Sequence, residues 1–299
     1  MKYNQLGKSD LQVSEVSFGC MSLRGSHAEN AVLLQQALEA GINFFDTADL
    51  YDKGENEVTV GKAFKNNRNK IVLATKVGNQ WRPYGSGWDW NPTKKYILEA
   101  VDKSLQRLQT DYIDLYQLHG GTIEDPIDET IEAFEILKEA GKIRYYGISS
   151  IRPNVIREYV QRSSIVSVMM QYSLLDRRPE EQILDVLAQN NISVLARGSI
   201  AQGLLAGKPT KAYLSFSEAE VKKMVNVLEE VSGNLSIDNM SVAIKYVLQH
   251  PAVATAVLGV RTQQQLNHAI KAAHEVELGS AALEKLKQVL TGQVYEQHR

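Results

Sequence analysis

Asp46 and Tyr51 stand five residues apart in the segment Phe45-Asp46-Thr47-Ala48-Asp49-Leu50-Tyr51, where a short strand-like run gives out. Lys76 closes the apolar run Ile71-Val72-Leu73-Ala74-Thr75, and His119 closes Tyr112-Ile113-Asp114-Leu115-Tyr116-Gln117-Leu118. Three strand-like segments thus end on titratable side chains, and strand ends are where barrel enzymes keep their chemistry. If the four converge, the Lys76 ammonium favours phenolate at Tyr51 and lowers a pKa that starts near ~10, which makes the tyrosine a usable proton donor. Asp46 supplies the counter-ion that a partly buried ammonium needs. His119 either donates a hydrogen bond that orients a carbonyl oxygen or acts as an acid–base partner of Tyr51. Such a set protonates an oxygen while hydride reaches carbon from elsewhere, with no metal and no covalent nucleophile. Each residue alone reads as structural: a Lys–Asp pair, a core tyrosine, a satisfied buried histidine. Their conjunction across three strand ends points to catalysis.

The elements that must position these groups repeat as strand, loop and amphipathic helix. The chain opens with a hairpin, Lys2 to Leu6 and Leu11 to Val13 around the turn Gly7-Lys8-Ser9-Asp10, which is expected to lid one end of the fold. Eight units follow, with strands at Val16 to Gly19, Asn43 to Asp46, Ile71 to Lys76, Ile113 to Gln117, Ile143 to Ser149, Val166 to Gln171, Ser193 to Arg197 and Ala254 to Leu258. Their helices are expected over 28–40, 56–64, 93–108, 128–139, 154–161, 180–190, 218–231 and 263–273, and two further helices, over 240–249 and 281–290, are left over. In the third helix Ile97, Val101, Leu105 and Leu108 keep one face at helical spacing. Eight such units predict an α/β fold of the closed (β/α)₈ TIM-barrel type, with an N-terminal β-hairpin and two additional helices. The competitor is an open doubly wound sheet. A dinucleotide-binding sheet of that kind wants Gly-x-Gly-x-x-Gly after its first strand, and this chain has Gly19-Cys20-Met21-Ser22-Leu23-Arg24-Gly25.

The 299 residues are expected to form one domain, since no Gly/Ser-rich, low-complexity or like-charge block interrupts the alternation. A net charge of −2 argues against nucleic acid or an anionic membrane as obligatory partner. The start lacks a signal-peptide core and no apolar run approaches a membrane span, so a cytoplasmic protein is expected. Cys20 is the single cysteine and reads as a buried thiol, while the six histidines are dispersed without metal-ligand spacing, so no metal is expected.

Taken in order, Gly19-Cys20-Met21, Asp46 to Tyr51, Thr75-Lys76, Asp111 to His119, Gly141 to Ser149 and Gln171-Tyr172-Ser173 resemble the aldo-keto reductase superfamily over nearly the whole chain, closest to its bacterial and potassium-channel β-subunit branches. The resemblance implies NADP(H)-dependent reduction of aldehydes or ketones to alcohols, an EC 1.1.1 activity. Tyr51 is then the general acid, Lys76 and Asp46 tune it, and His119 orients the carbonyl. It also implies a nicotinamide cofactor across the barrel mouth, near Gly19, Cys20 and Met21. Ser149 and Gln171 would bond the carboxamide and Tyr172 would stack on the ring. Ser150 stands where the family has asparagine, which shortens one amide contact.

The segment Arg197-Gly198-Ser199-Ile200-Ala201-Gln202-Gly203-Leu204-Leu205-Ala206-Gly207-Lys208 resembles the loop over the pyrophosphate, with Lys208 as charge partner. Gly259, Arg261 and Gln265 lie in a segment that resembles the holder of the adenosine 2′-phosphate. A fork-shaped guanidinium at Arg261 suits a phosphate, so NADPH is expected over NADH. His268 and Ala269 stand where Glu and Asn read the adenine in the family, which predicts fewer adenine contacts and either weaker cofactor binding or a looser cofactor preference. Trp81, Trp88 and Trp90 share one loop after the lysine strand and wall a pocket or pack on neighbouring loops. Either way an apolar aldehyde or ketone is expected as the small-molecule substrate. Arg177 and Arg178 after the sixth strand could grip a carboxylate, but surface ion pairs are the expected reading.

Two other functions fit the same residues. Lys76 could be a Schiff-base nucleophile of a barrel lyase, which would need a depressed pKa that Asp46 opposes. The chain could also be an NADPH-binding sensor or partner protein with slow turnover.

Overall fold

The computed structural model describes residues 1–299, apart from the side chain of Tyr84. The chain opens with the antiparallel pair β1 (Tyr3–Gln5) and β2 (Gln12–Ser14), followed by β3 (Val16–Gly19), α1 (His27–Glu39), β4 (Phe44–Asp46), α2 (Glu55–Phe64) and β5 (Val72–Val77). A second hairpin comes next, β6 (Asn79–Trp81) and β7 (Trp88–Trp90), then α3 (Lys94–Leu108), β8 (Ile113–Leu118), α4 (Ile127–Glu139), β9 (Ile143–Ser149) and α5 (Pro153–Arg162). The rest is β10 (Ser167–Gln171), α6 (Ile183–Gln189), β11 (Ser193–Arg197), α7 (Glu218–Leu235), α8 (Asn239–Leu248), β12 (Val253–Gly259), α9 (Gln263–His274) and α10 (Ser280–Gln288). Strands β3, β4, β5, β8, β9, β10, β11 and β12 pair in that order, all parallel, and β12 returns to β3 through Leu258 opposite Phe18 and Gly259 opposite Gly19. The closed (β/α)₈ barrel is therefore the architecture, and the open sheet is excluded.

Two layers of apolar side chains hold it. One large cluster fills the space between strands and helices. The smaller one fills the barrel interior, where Phe44, Ala74, Leu115, Met169 and Leu195 meet Leu6, Leu11 and Val13 of the first hairpin, so that hairpin plugs the N-terminal end. Two residues further along the same strands stand Asp46, Lys76, Gln117, Gln171 and Arg197. Side chains alternate with period two along a strand, so these polar groups face the same interior one layer higher. Local signals start the helices: Ser26 with Glu29 and Ser217 with Glu220 form reciprocal caps at α1 and α7, and Thr93 caps α3.

The structure departs from expectation in two places. Residues 79–91, read as a loop, contain the β6–β7 hairpin, in which Trp81 pairs with Trp88 and Asn79 with Trp90. Aromatic cross-strand pairs of this kind stabilise a short hairpin. The helix expected over 180–190 is broken: a 3₁₀ turn, Arg178–Glu181, precedes α6, and Gln182 between them has a non-helical backbone at φ −156°. The two helices outside the eightfold repeat, α8 and α10, are present.

Candidate active site

Asp46, Tyr51, Lys76 and His119 come together at the C-terminal mouth. Lys76 lies on β5 with its ammonium aimed into the barrel, and its side chain is 1% exposed against 5% for Asp46. All three of its N–H donors are used: Nζ donates to Asp46 Oδ2 at 2.6 Å, to the Thr47 carbonyl at 2.8 Å and to Tyr51 Oη at 3.3 Å. Gln117 Nε2 donates to the other Asp46 oxygen at 3.2 Å. Because Tyr51 Oη accepts from the ammonium, its own O–H is left to donate toward the mouth. The His119 ring meets the Tyr51 ring edge-on with centroids 5.7 Å apart.

The electrostatics follow from burial. Burial works against the Lys76 charge, but Asp46 and then Tyr51 outweigh it and hold the ammonium above its ordinary pKa. An ammonium held in this way has no lone pair, which opposes the Schiff-base reading. Burial raises Asp46 from the usual carboxylate value against the pull of Lys76. Tyr51 corrects the expectation of a lowered pKa: burial pushes the phenol up, and Lys76 opposes this without reversing it. The phenol is therefore protonated at physiological pH. Burial, then Lys76 and Arg197, depress His119 to about 3. Its imidazole is neutral at physiological pH, which fits the hydrogen-bonding role and not the proton-exchanging one. Its Nδ1 is buried without a partner among the described residues.

The remaining candidates spread around the rim. Gln171 faces the mouth, with Nε2 donating to Tyr213 Oη at 3.1 Å and Oε1 accepting from Arg197 Nη1 at 3.3 Å. Ser149 is half-buried at the end of β9. Tyr172, one residue past the inward Gln171, turns outward: it is 2% exposed, its hydroxyl donates to Glu180 and its ring lies against Tyr246. It has no free face for stacking, a consequence of the period-two alternation. Ser150 and Cys20 follow the inward-facing Ser149 and Gly19 and are likewise buried. Ser150 Oγ accepts from the Arg152 amide, and burial pushes the Cys20 thiol up. Met21 is exposed beside them.

After β11 the backbone folds into a 3₁₀ turn, Ala201–Ala206, entered through Gly198, Ser199 and Ile200. Among the described residues, the amides of Ser199 and Ile200 donate to no protein acceptor. Gln202 and Gly203 both have positive φ, and Lys208 folds back so that Nζ donates to the Gln202 carbonyl at 2.8 Å. Beyond β12, Gly259 lies against Ser22, the Arg261 amide donates to Gln265 Oε1 at 3.0 Å, and Thr262 caps α9. The Arg261 guanidinium is exposed with no carboxylate within 4.0 Å among the described residues. Ala269 is buried and His268 exposed.

Trp90 donates from Nε1 to Asp125 Oδ1 at 2.9 Å and covers Gly78 and Gly120, Trp81 is half-buried, and Trp88 is 48% exposed. Arg177 is held by Glu180 and two C-terminal carbonyls, and Arg178 by Asp176. Gln117, which steadies Asp46, was not singled out from the sequence. Its place two residues after the inward Leu115 is the signal that marks it.

The family model for the aldo/keto reductase family matches residues 15–291. This chain belongs to the aldo-keto reductase family. It is 52% identical, over the full length of both chains, to an uncharacterized oxidoreductase of Bacillus subtilis, YqkF. It is 31% identical to the NADH-specific methylglyoxal reductase of Escherichia coli, over 91% of this chain and 93% of that one. Among solved structures it resembles the holo form of aldo-keto reductase AKR11C1 from Bacillus halodurans with a TM-score of 0.94, 51% identity, and coverage of 100% of this chain and 99% of that one. As an aldo-keto reductase, the protein is an oxidoreductase of a class that uses nicotinamide cofactors on small carbonyl compounds. Its described helices include none long and apolar enough to cross a membrane.

Proposed function

We propose that this aldo-keto reductase reduces aldehydes or ketones to alcohols with NADPH, with Tyr51 as the general acid. The observation that carries this reading is the chain Asp46–Lys76–Tyr51, in which the ammonium is fixed by three acceptors and the phenol oxygen is one of them. When bound, the nicotinamide supplies the hydride. Tyr51 and neutral His119 then donate hydrogen bonds to the carbonyl oxygen, and as negative charge grows there Tyr51 releases its proton to it. Lys76 stabilises the resulting phenolate, which is where its attraction is greatest, so it favours the transition state over the bound substrate. Asp46 and Gln117 hold Lys76 in register without touching substrate.

The residues present fit a dinucleotide. Free amides at Ser199 and Ile200 beside Lys208 suit a pyrophosphate, and the uncompensated Arg261 next to the first turn of α9 suits a 2′-phosphate. Ser149 and Gln171 suit the carboxamide, and Arg197 lies over the same part of the mouth. The preference for NADPH rests on Arg261, although one relative of similar length is named for NADH. Five exposed apolar residues, Met21, Trp88, Ile123, Ile151 and Leu214, sit in the connections that follow barrel strands, so the rim favours an apolar substrate body.

NADPH oxidation with a panel of aromatic and aliphatic aldehydes, run beside cofactor binding by fluorescence quenching, tests the reading. Tyr51→Phe should bind NADPH like the wild type and lose about 10²–10⁴ of kcat. A variant that turns over at the wild-type rate removes Tyr51 from the acid role. NADPH and NADH affinities within a factor of about two would remove the assignment of Arg261.

A further inference from the structure

The β6–β7 hairpin has two unlike faces. Its outer face is polar and self-satisfied: Arg82 grips Asp89 through two nitrogens, with Nε at 2.9 and 3.0 Å from the two carboxylate oxygens, and Asn91 donates to Gln80 at 2.7 Å. Its inner face carries Asn79, Trp81, Trp88 and Trp90, because directly paired residues of an antiparallel ladder share a side. That face lies toward the mouth, since Asn79 Nδ2 donates to the His119 carbonyl and Trp90 covers Gly120.

A buried indole N–H and an exposed ammonium without a carboxylate partner among the described residues meet at the outer part of this face. Trp81 Nε1 is buried with no hydrogen-bond partner among the described residues, a state that is costly for an indole N–H. Lys53 places its ammonium 5.6 Å from the centre of the Trp81 ring and against Gly85. It has no carboxylate within 4.0 Å among the described residues: Asp89 belongs to Arg82, and Asp52 beside it in the chain makes no ion pair. Lys53 is held there by an uncommon backbone, with φ 54° following φ 50° at Asp52, two consecutive non-glycine residues in the left-handed region. Lys53 follows Tyr51 by two residues on the connection after β4, and Trp81 stands on the hairpin face that lies toward the mouth, so the cation and the indole N–H share one rim of the mouth.

We propose that Lys53 and Trp81 form a carboxylate subsite, so that the preferred substrates are aldehydes whose apolar body carries a carboxylate at the end remote from the carbonyl. This rests on the reductase reading and specifies its substrate class. With the carbonyl oxygen on Tyr51 and His119, a rigid ring directs its far substituent away from the barrel axis. A carboxylate there accepts the Trp81 N–H and pairs with the Lys53 ammonium, while the tryptophan faces cover the ring. The indole N–H gains a partner and the exposed ammonium exchanges water for a carboxylate, the charge-assisted pair being the stronger contribution. An apolar substituent leaves the indole N–H unpaired and gains nothing from the cation.

The test compares kcat/KM for para-carboxybenzaldehyde and para-methylbenzaldehyde in the wild type, Lys53→Met and Trp81→Phe, each checked for folding by thermal melting. Because the intrinsic reactivities of the two aldehydes cancel, the readout is the change in their ratio on substitution. Lys53→Met should lower the carboxy-to-methyl ratio by about tenfold or more, and Trp81→Phe should lower it by a smaller factor in the same direction. In the wild type, KM for the carboxylate alone should rise with ionic strength, a reading that survives if a variant fails to fold. Ratios unchanged in both variants, or a salt response equal for the two aldehydes, would overturn the subsite and leave the reductase standing. Reduction of neither aldehyde, with the wider panel also inert, would remove both.

Discussion

Lys76 donates to Asp46, Thr47 and Tyr51 from a position almost closed to solvent, so its removal acts on stability and on chemistry together. Lys76→Met leaves Asp46 buried without its cation and is expected to cost about 3–5 kcal/mol of unfolding free energy, measured by guanidinium titration. In the protein that still folds, kcat should fall with Tyr51 intact, and a variant with wild-type kcat would show that the ammonium does not assist proton transfer. His119 makes a separate, signed prediction. Its folded pKa of about 3 lies below the ordinary value of 6.5, so between those pH values the unfolded chain binds a proton that the folded chain refuses. Stability contributed by neutral His119 is complete above about 6.5 and is lost as pH falls toward 3. His119→Phe should therefore flatten the acid limb of the stability curve by up to about 1.4 kcal/mol per pH unit, measured by urea unfolding between pH 4 and pH 6. An unchanged slope would mean that the imidazole is protonated in the folded protein.

The β6–β7 hairpin shows how one element depends on a single backbone position. Gly78 joins β5 to the hairpin at φ +124°, and a Cβ there would stand 2.6 Å from the Trp90 ring. Gly78→Ala both strains the backbone and displaces the ring that anchors the hairpin over His119 and Gly120. A loss of about 1–3 kcal/mol is expected, together with a rise in KM larger than the fall in kcat, since the hairpin walls the mouth and the proton donor lies on another loop. A KM unchanged beside a normal tryptophan emission spectrum would detach the hairpin from substrate binding. The hairpin itself is hard to read from sequence: Gln80-Trp81-Arg82 and Trp88-Asp89-Trp90 alternate, but each run is only three residues long, and its pairing rests on tryptophans that read equally well as loop residues. The break before α6 was hidden for a related reason, since Pro179 and the acidic pair Glu180-Glu181 resemble a helix start.

The whole molecule separates its two ends. Leu6, Leu11 and Val13 fill the N-terminal end, while the polar layer of Asp46, Lys76, Gln117, Gln171 and Arg197 occupies the other, with Phe44, Ala74, Leu115, Met169 and Leu195 between them. Truncating Leu6, which is fully buried, should cost about 2–5 kcal/mol of stability while leaving kcat within a factor of about two, because the cavity opens at the end remote from the chemistry. Guanidinium unfolding and NADPH oxidation on the same preparation check this. A comparable fall in kcat would mean that strain crosses the barrel.

The barrel, its plug and the four mouth residues were legible because they depend on local spacing. An apolar residue at Phe44, Ala74 or Leu115 with a polar one two positions later writes an inward ladder into each strand, and the serine and threonine caps mark where helices begin. What spacing along one strand cannot carry is distance across strands. Closure brings Arg197 of β11 close enough to act on His119 at the end of β8, and it buries Tyr51 deeply enough that its pKa rises where a neighbouring lysine alone would lower it. It also turns Tyr172 against Tyr246 and Glu180, and brings Lys53 beneath Trp81, contacts made by chain segments that share no local pattern. Residue types and their order are properties of the chain; burial and the sum of charges at a point exist only once the barrel has closed.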